Sequence, residues 1–238
     1  MIGVLSANTG LNLAVGVAMV LIIAEIASPA RPVQRNRWPF NIGLGALTLL
    51  IGRVASVVGP LGAAIWAQKA GVGLFNFAPG FDTGKVVLTV IAMDLAVYWQ
   101  HRAFHRFNWM WRWHKLHHAD TAMDISTGVR FHPGEILISL GWKSAAVIIL
   151  GAPPEAVPIF ETWLMLGSLI EHSNLRLPQK LDRIARKIWV TPAMHAVHHS
   201  AHASDAQHNF GFAIGLWDHA FRTYRADSSG PMIGLPRP

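Results

Sequence analysis

The chain has 238 residues, 52% of them hydrophobic and only 14% charged, with a mean hydropathy of +0.32. The charged fraction lies well below the roughly 25% of soluble domains, and long apolar runs alternate with basic, histidine-rich ones, so the composition reads as a polytopic membrane protein forming one structural unit. With no cysteine, disulfides, thiolate-bound haem, Cys-ligated iron–sulfur clusters and Cys-type zinc sites are excluded, and the net charge of +7 flanks apolar runs, which points to anionic lipid headgroups and not to nucleic acid.

In chain order, Leu11 to Ala27 is an apolar run long enough to span a bilayer, with Glu25 near its end. No positive residue precedes it and Pro29 and Pro32 follow, so it reads as a retained helix and not a signal peptide. A basic, aromatic loop (Arg31, Arg35, Arg37, Trp38) comes next, and then a second span, Phe40 to Gly59, carrying Arg53. Pro60 to Phe77 is weaker and reads as a re-entrant or interfacial helix. Val86 to Gln100 is a third span that runs into the first histidine cluster. Ile136–Leu150 and Val157–Ile170 form a helical hairpin turned by Gly151, Pro153 and Pro154, after which the chain from Asn174 is polar and basic. The expectation is an all-α membrane bundle of about five spans, with a histidine-rich helical cap. Placing the Arg31–Arg37 loop inside puts every histidine cluster on the cytoplasmic face, together with most Lys and Arg.

Eight of the thirteen histidines lie in three clusters: His101 and His105; His114, His117 and His118; His195, His198 and His199. The last two repeat an H-x-x-H-H spacing. Residues three and four apart share a helix face, so each cluster is expected to aim two or three imidazoles at one point. Imidazole is the commonest metal ligand among side chains, and eight imidazoles suit two metals better than one. Spacing alone does not choose among Fe, Zn, Cu and Ni. No Glu-x-x-His pair of the soluble carboxylate-bridged di-iron bundles is present, and no His-Glu-x-x-His of a zinc protease. Ser200 beside His199 is a weak nucleophile candidate. Asp94, seven residues before His101 on the same helix face, is expected either to hydrogen-bond a liganding imidazole or to pair with Arg53 or Lys143. The run Phe107, Trp109, Trp111, Trp113 reads as an interfacial belt, or alternatively as a substrate entrance.

Between Asp94 and Tyr224 these motifs fall in a specific order: DLAVYWQHRAFH, HKLHH, RFHPGE, EHSNL, TPAMHAVHHS, NFG and WDHAF. In that combination the chain resembles the fatty acid hydroxylase / sterol desaturase superfamily of integral membrane di-iron oxygenases. The resemblance implies N-terminal transmembrane helices over 1–80 and a catalytic domain over 81–238. It implies two iron ions, O2 as cosubstrate and a lipid substrate taken from the bilayer. Hydroxylation or desaturation would draw electrons from a separate cytochrome, ferredoxin or reductase.

The ligands implied are His101, His105, His114, His117, His118, His195, His198 and His199, with His172 in EHSN as a ninth. Related enzymes use a further histidine one turn before that position, where this chain has Ser168. His132, His202, Asn209 and Asp218 are expected to support the site, His208 could do so as well, and His219 reads as structural. Arg222 replaces the family's usual small residue and puts the local turn in doubt. Two competing readings are a non-catalytic membrane metal-binding or transport protein and a zinc-dependent membrane lipid hydrolase working without O2.

Overall fold

The computed structural model describes residues 7–55, 58–77, 80 and 82–235. The expected second span includes residues 56–57, and the expected boundary at 80/81 adjoins residue 81; these positions lie outside the described residues. Among the described residues there is no β-strand, only isolated bridges. The helices are α1 (Ala7–Ala27), α2 (Trp38–Ala55), α3 (Pro60–Ala70), α4 (Asp82–Arg106), α5 (Asn108–His118), α6 (Pro133–Leu150), α7 (Ala156–His172), α8 (Gln179–Ala185), α9 (Pro192–His198) and α10 (Leu216–Ala220).

Three stretches hold a helix long and apolar enough to cross a membrane: Thr9–Ala27, Arg35–Phe77 through α2, and Pro133–Leu150. With the family relationship given below, they make this an integral membrane protein. Their outward surface is apolar: Val20, Ile23 and Ile26 of α1 and Leu50 and Val54 of α2 are all more than half exposed, as side chains facing lipid are. α4 and α7 do not meet that measure of length and apolarity. α4 ends in QHRAFHR, and α7 has 17 residues and contains Glu161, Glu171 and His172.

The segment expected to be re-entrant is an 11-residue helix, α3, ended by left-handed Gly71. At ~1.5 Å per residue it is too short to span. It packs on α6 as part of a core formed by Ala64, Met93, Val97, Val147, Val157 and Phe160. A second core joins Ala14 of α1, Leu169 of α7 and Ile125 of the 3-10 turn Ile125–Val129. The α6–α7 hairpin forms as expected, with Gly151 capping α6 at φ 62°. A Cβ on Gly73 (φ 96°) would lie 2.2 Å from the Gly151 nitrogen, so these two turns touch backbone to backbone and neither tolerates a side chain.

The basic loop after α1 is clamped to the segment after α5. Arg37 pairs with Asp120 and, at 2.5 Å, with Asp124. Asn41 donates to Asp120 (2.9 Å), and Arg130 donates to Asn41 (2.8 Å) and to the Leu116 carbonyl (2.9 Å). All of these polar groups are buried or nearly so, and a buried network of this kind fixes position only when its members are satisfied. Here it holds the end of α5, and with it the central histidine cluster, against α2.

Candidate metal centre

Nine histidines from four segments meet at one end of the bundle. The end of α4 brings His101 and His105, α5 brings His114, His117 and His118, the last residue of α7 is His172, and α9 with the residue after it brings His195, His198 and His199. Eight are at most 3% exposed; His105 is partly buried. They sort into two groups with metal-ligand spacing. His101, His105, His114, His118 and His198 form one, and His117, His172, His195 and His199 the other, with the ligand atoms of each group within 4.8 Å of one another. The groups adjoin: the His118 and His199 rings stack at 4.4 Å.

His101 and His105 serve one group, as expected, but the two H-x-x-H-H clusters depart from the expectation that each cluster serves one point. Successive helical residues are rotated by about 100°, so in H-x-x-H-H the first and last histidines share a face and the middle one points elsewhere. His114 and His118 go to the first group and His117 to the second; His195 and His199 go to the second and His198 to the first. Each box therefore straddles both groups.

Hydrogen bonds fix the tautomers. The Nδ1 atoms of His101, His198, His117 and His172 lie 2.9, 2.8, 3.2 and 2.7 Å from the carbonyl oxygens of Phe210, His208, Arg130 and Ser168. A carbonyl only accepts, so in the neutral ring each Nδ1 carries the proton and Nε2 is left with a lone pair. The Nε2 atoms of His117 and His172 nevertheless face each other at 3.0 Å, and His195 Nε2 lies 3.1 Å from His172 Nε2. In the first group the Nε2 atoms of all five histidines are buried without a hydrogen-bond partner. Convergent, desolvated lone pairs repel one another unless a cation lies among them. This donor set fits a metal ion, and imidazole suits Fe, Zn, Cu and Ni.

Burial and neighbouring imidazoles push the pKa values of His117, His118, His195 and His199 well below the ordinary 6.5. Burial takes His198 down to about 3. The rings are thus neutral at pH 7, the form that ligates metal. The sign for stability follows: the unfolded chain binds protons below about pH 6.5 while the folded chain does not, so stability is full above that pH and lost as pH falls. His198 alone is expected to cost the metal-free protein about 2 kcal/mol between pH 6.5 and pH 5. Thermal melts of the metal-free protein at pH 7.5 and pH 5 check this; equal midpoints would contradict it.

The supporting residues fall in different places from those expected. Where an imidazole, Arg53 or Lys143 was expected, Asp94 accepts from the Trp163 and Trp217 indoles, each at 2.8 Å. Lys143 instead pairs with Glu161 (2.6 Å). His132 caps α6, its Nδ1 accepting from the Gly134 N–H at 2.9 Å, and belongs to neither group. The His202 ring is exposed and lies over Gly230, away from both groups. Asn209 reaches no histidine side chain: left-handed at φ 56°, it donates to the carbonyls of Met194 and Arg225. Asp218 acts one step removed. It accepts from the Phe210 and Gly211 N–H groups (2.8 Å each), holding the segment whose Phe210 carbonyl meets His101.

His208 contributes through its backbone carbonyl, and the His219 ring stacks on Tyr224. Arg222 does adopt the left-handed conformation (φ 58°) that a glycine would favour, and the turn closes regardless. Ser200 accepts from the His202 N–H and bonds Ser228, a structural arrangement without a histidine base. The aromatic run divides: Phe107 and Trp109 are exposed, while Trp111 packs on His105 (5.0 Å) and Trp113 on His132 (4.6 Å).

Two carboxylates absent from the expected set lie against the histidines. Glu135 in the first turn of α6 meets His114 Nδ1 at 2.7 Å. Glu171 is fully buried and lies 3.5 Å from the Nδ1 atoms of both His172 and His195. Neither belongs to a Glu-x-x-His pair. The available signal was that each stands inside a motif already picked out, Glu135 in RFHPGE and Glu171 in EHSNL.

Ser168 positions His172 twice over. Its carbonyl accepts from the ring, and its hydroxyl donates to the Gly128 carbonyl at 2.9 Å. A Cβ on Gly128 would sit 2.8 Å from the Ser168 carbonyl oxygen, so Gly128→Ala is expected to displace the end of α7 and weaken metal retention by about tenfold. Metal titration of the purified variant checks this; unchanged affinity would show that the contact does not matter.

The structure finds counterparts among known proteins in sequence. Alkylglycerol monooxygenase of Homo sapiens is 28% identical over 151 residues, covering 62% of this chain and 32% of that protein. The Danio rerio protein of that name is 27% identical over 151 residues (63% and 33%). Ornithine lipid hydroxylase OlsE of Rhizobium tropici is 29% identical over 147 residues (59% and 41%). The chain thus matches well under half the length of these relatives. No solved structure matches it. The fatty acid hydroxylase family model matches residues 86–223, more than half the chain and every histidine of the two groups, and the chain belongs to the fatty acid hydroxylase family.

Proposed function

We propose that this protein is an O2-dependent lipid hydroxylase whose two histidine groups each hold one iron ion. The observation that carries the proposal is the convergence of buried Nε2 lone pairs in two adjoining groups of five and four histidines. In this reading all nine histidines of the two groups serve as ligands, His172 among them. When bound, a pair of irons supplies the activation of O2 needed to break an unactivated C–H bond. The chain's own part is to hold nine rings together, four of them in tautomers fixed by backbone carbonyls, to keep water from the lone pairs by burial, and to bring the site to a bilayer. The apolar outer surfaces of α1 and α2 favour a substrate delivered laterally from the membrane. Relatives named for alkylglycerol and ornithine lipid point to membrane lipids with polar headgroups as the substrate class.

Three further elements belong to this proposal. α1, α2, α4, α6 and α7 act as five spans, with α4 and α7 extending beyond the bilayer to carry histidines. The basic loops favour the cytoplasmic face for the site. Two electrons per turnover come from a separate electron-transfer protein, and a basic surface suits an acidic donor.

The test is an assay of detergent-purified, iron-loaded protein with a reductase system and either an alkylglycerol or an ornithine lipid, with and without O2. The expected result is a hydroxylated product that incorporates oxygen from 18O2. Product formed equally under anaerobic conditions would overturn the proposal in favour of hydrolysis. An alkene without oxygen incorporation would make the enzyme a desaturase.

A further inference from the structure

Of the nine histidines, four have Nδ1 on a backbone carbonyl, as described above. His114 and His195 are arranged differently. His114 Nδ1 lies 2.7 Å from Glu135 Oε1. His195 presents Nε2 to His172, so its Nδ1 is the remaining polar atom; that atom is buried without a hydrogen bond, and Glu171 Oε2 is 3.5 Å away. Glu171 is 0% exposed, and neither of its oxygens has a hydrogen-bond partner. A buried carboxylate in that condition is costly to the fold and calls for a reason. The two carboxylates are also distributed symmetrically: Glu135 backs a member of the five-histidine group, and Glu171 backs a member of the four-histidine group.

We propose that Glu171 is a positioning residue for the ion at His117, His172, His195 and His199, and that Glu135 does the same for the ion at the other group. Each accepts the Nδ1–H of one ligand, fixes the tautomer that leaves Nε2 as donor atom, and places one buried negative charge behind each buried cation. This rests on the metal reading above. Ligating histidines commonly give their second N–H to a carboxylate, and loss of such a partner weakens metal binding by about 10–100-fold. Both residues act through a histidine, since their oxygens lie on the Nδ1 side and away from the converging Nε2 atoms. The 3.5 Å separations of Glu171 are expected to shorten when an ion draws the His195 ring into alignment.

The test uses the full-length protein in detergent. Glu171→Gln and Glu135→Gln are purified metal-free, their thermal melts are compared with the wild type, and each is titrated with Co2+ against a competing chelator while visible absorption is followed. The wild type is expected to bind two ions. Glu171→Gln is expected to bind one with wild-type affinity and the other about 10–100-fold more weakly, with a changed Co2+ spectrum for the weak site. Glu135→Gln is expected to weaken the opposite site, so adding His117→Ala to it affects both. Glu171→Asp, which keeps the charge but withdraws it by one methylene, should fall between the wild type and Gln; it also serves if Gln does not fold. Two ions bound by Glu171→Gln or Glu171→Asp with wild-type affinity and spectrum would overturn the proposal and leave the metal reading intact. A wild type that binds no ion would instead overturn the metal reading.

Discussion

His172→Ala is expected to leave the protein with one tightly bound metal ion instead of two, and to lower hydroxylation by more than about 100-fold, beyond the usual cost of losing an outer partner. The reason is its central place in the smaller group. Its Nε2 is 3.0 Å from that of His117 and 3.1 Å from that of His195, and its Nδ1 is anchored on the Ser168 carbonyl. Removing it deletes a quarter of that donor set and the atom on which two others converge. The five-histidine group shares no residue with it and is expected to keep its ion. Metal analysis after exhaustive dialysis and a product assay check both halves. Two ions retained with full activity would show that His172 is not a ligand.

The second large effect is expected from the C-terminal segment, which the sequence marked only as polar and basic. It runs over the site as a strap. The Gly234 N–H donates to the His199 carbonyl (2.9 Å), the Leu235 N–H to the His118 carbonyl (3.0 Å), and the Ala201 N–H to the Met232 carbonyl (2.9 Å). Asp205 anchors it by accepting from the Ser228 hydroxyl and from the Ser229 N–H and hydroxyl at 2.7–2.9 Å. His118 and His199, the stacked pair joining the two groups, are thus fixed from outside by the same segment. Truncation after Ala226 is expected to expose that pair, admit water to both groups, and strip both ions under a chelator challenge that leaves the full chain loaded. Asp205→Ala, which releases the strap without deleting it, should give a partial loss. Full retention of both ions by the truncated chain would show that the strap plays no part in closing the site.

Much of the fold and most of the candidate site were legible in the sequence, for identifiable physical reasons. Apolar runs give spans because a helix must hide its backbone from lipid, so α1, α2 and the α6–α7 hairpin lie where composition places them. The histidine boxes point to a metal because imidazole clusters have little value as packing. Composition is less informative about elements whose role is set by partners. Pro60–Phe77 contains a short helix that packs on α6, with Ala64 in their shared core, which long-range packing decides. The assignment of boxes to groups depends on the direction of each ring, and the H-x-x-H-H spacing already contains that split.

Helix periodicity placed Asp94 on the face of His101, yet it could not reveal that Trp163 and Trp217, 69 and 123 residues away in sequence, would reach it first. Glu135 and Glu171 escaped for the converse reason. His114 lies 21 residues from Glu135 and His195 24 residues from Glu171, so no local motif joins those pairs, and the adjacency of Glu171 to His172 does not by itself show that the carboxylate turns toward the rings.

The nine histidines are expected to form two metal sites and not one. The most direct test is the iron content of the full-length protein, loaded anaerobically with Fe2+ in detergent and desalted. Two irons per chain are expected for the wild type, one for His172→Ala and one for His101→Ala, with the double variant holding none. One iron per chain in the wild type, or the same iron lost in both single variants, would contradict the account.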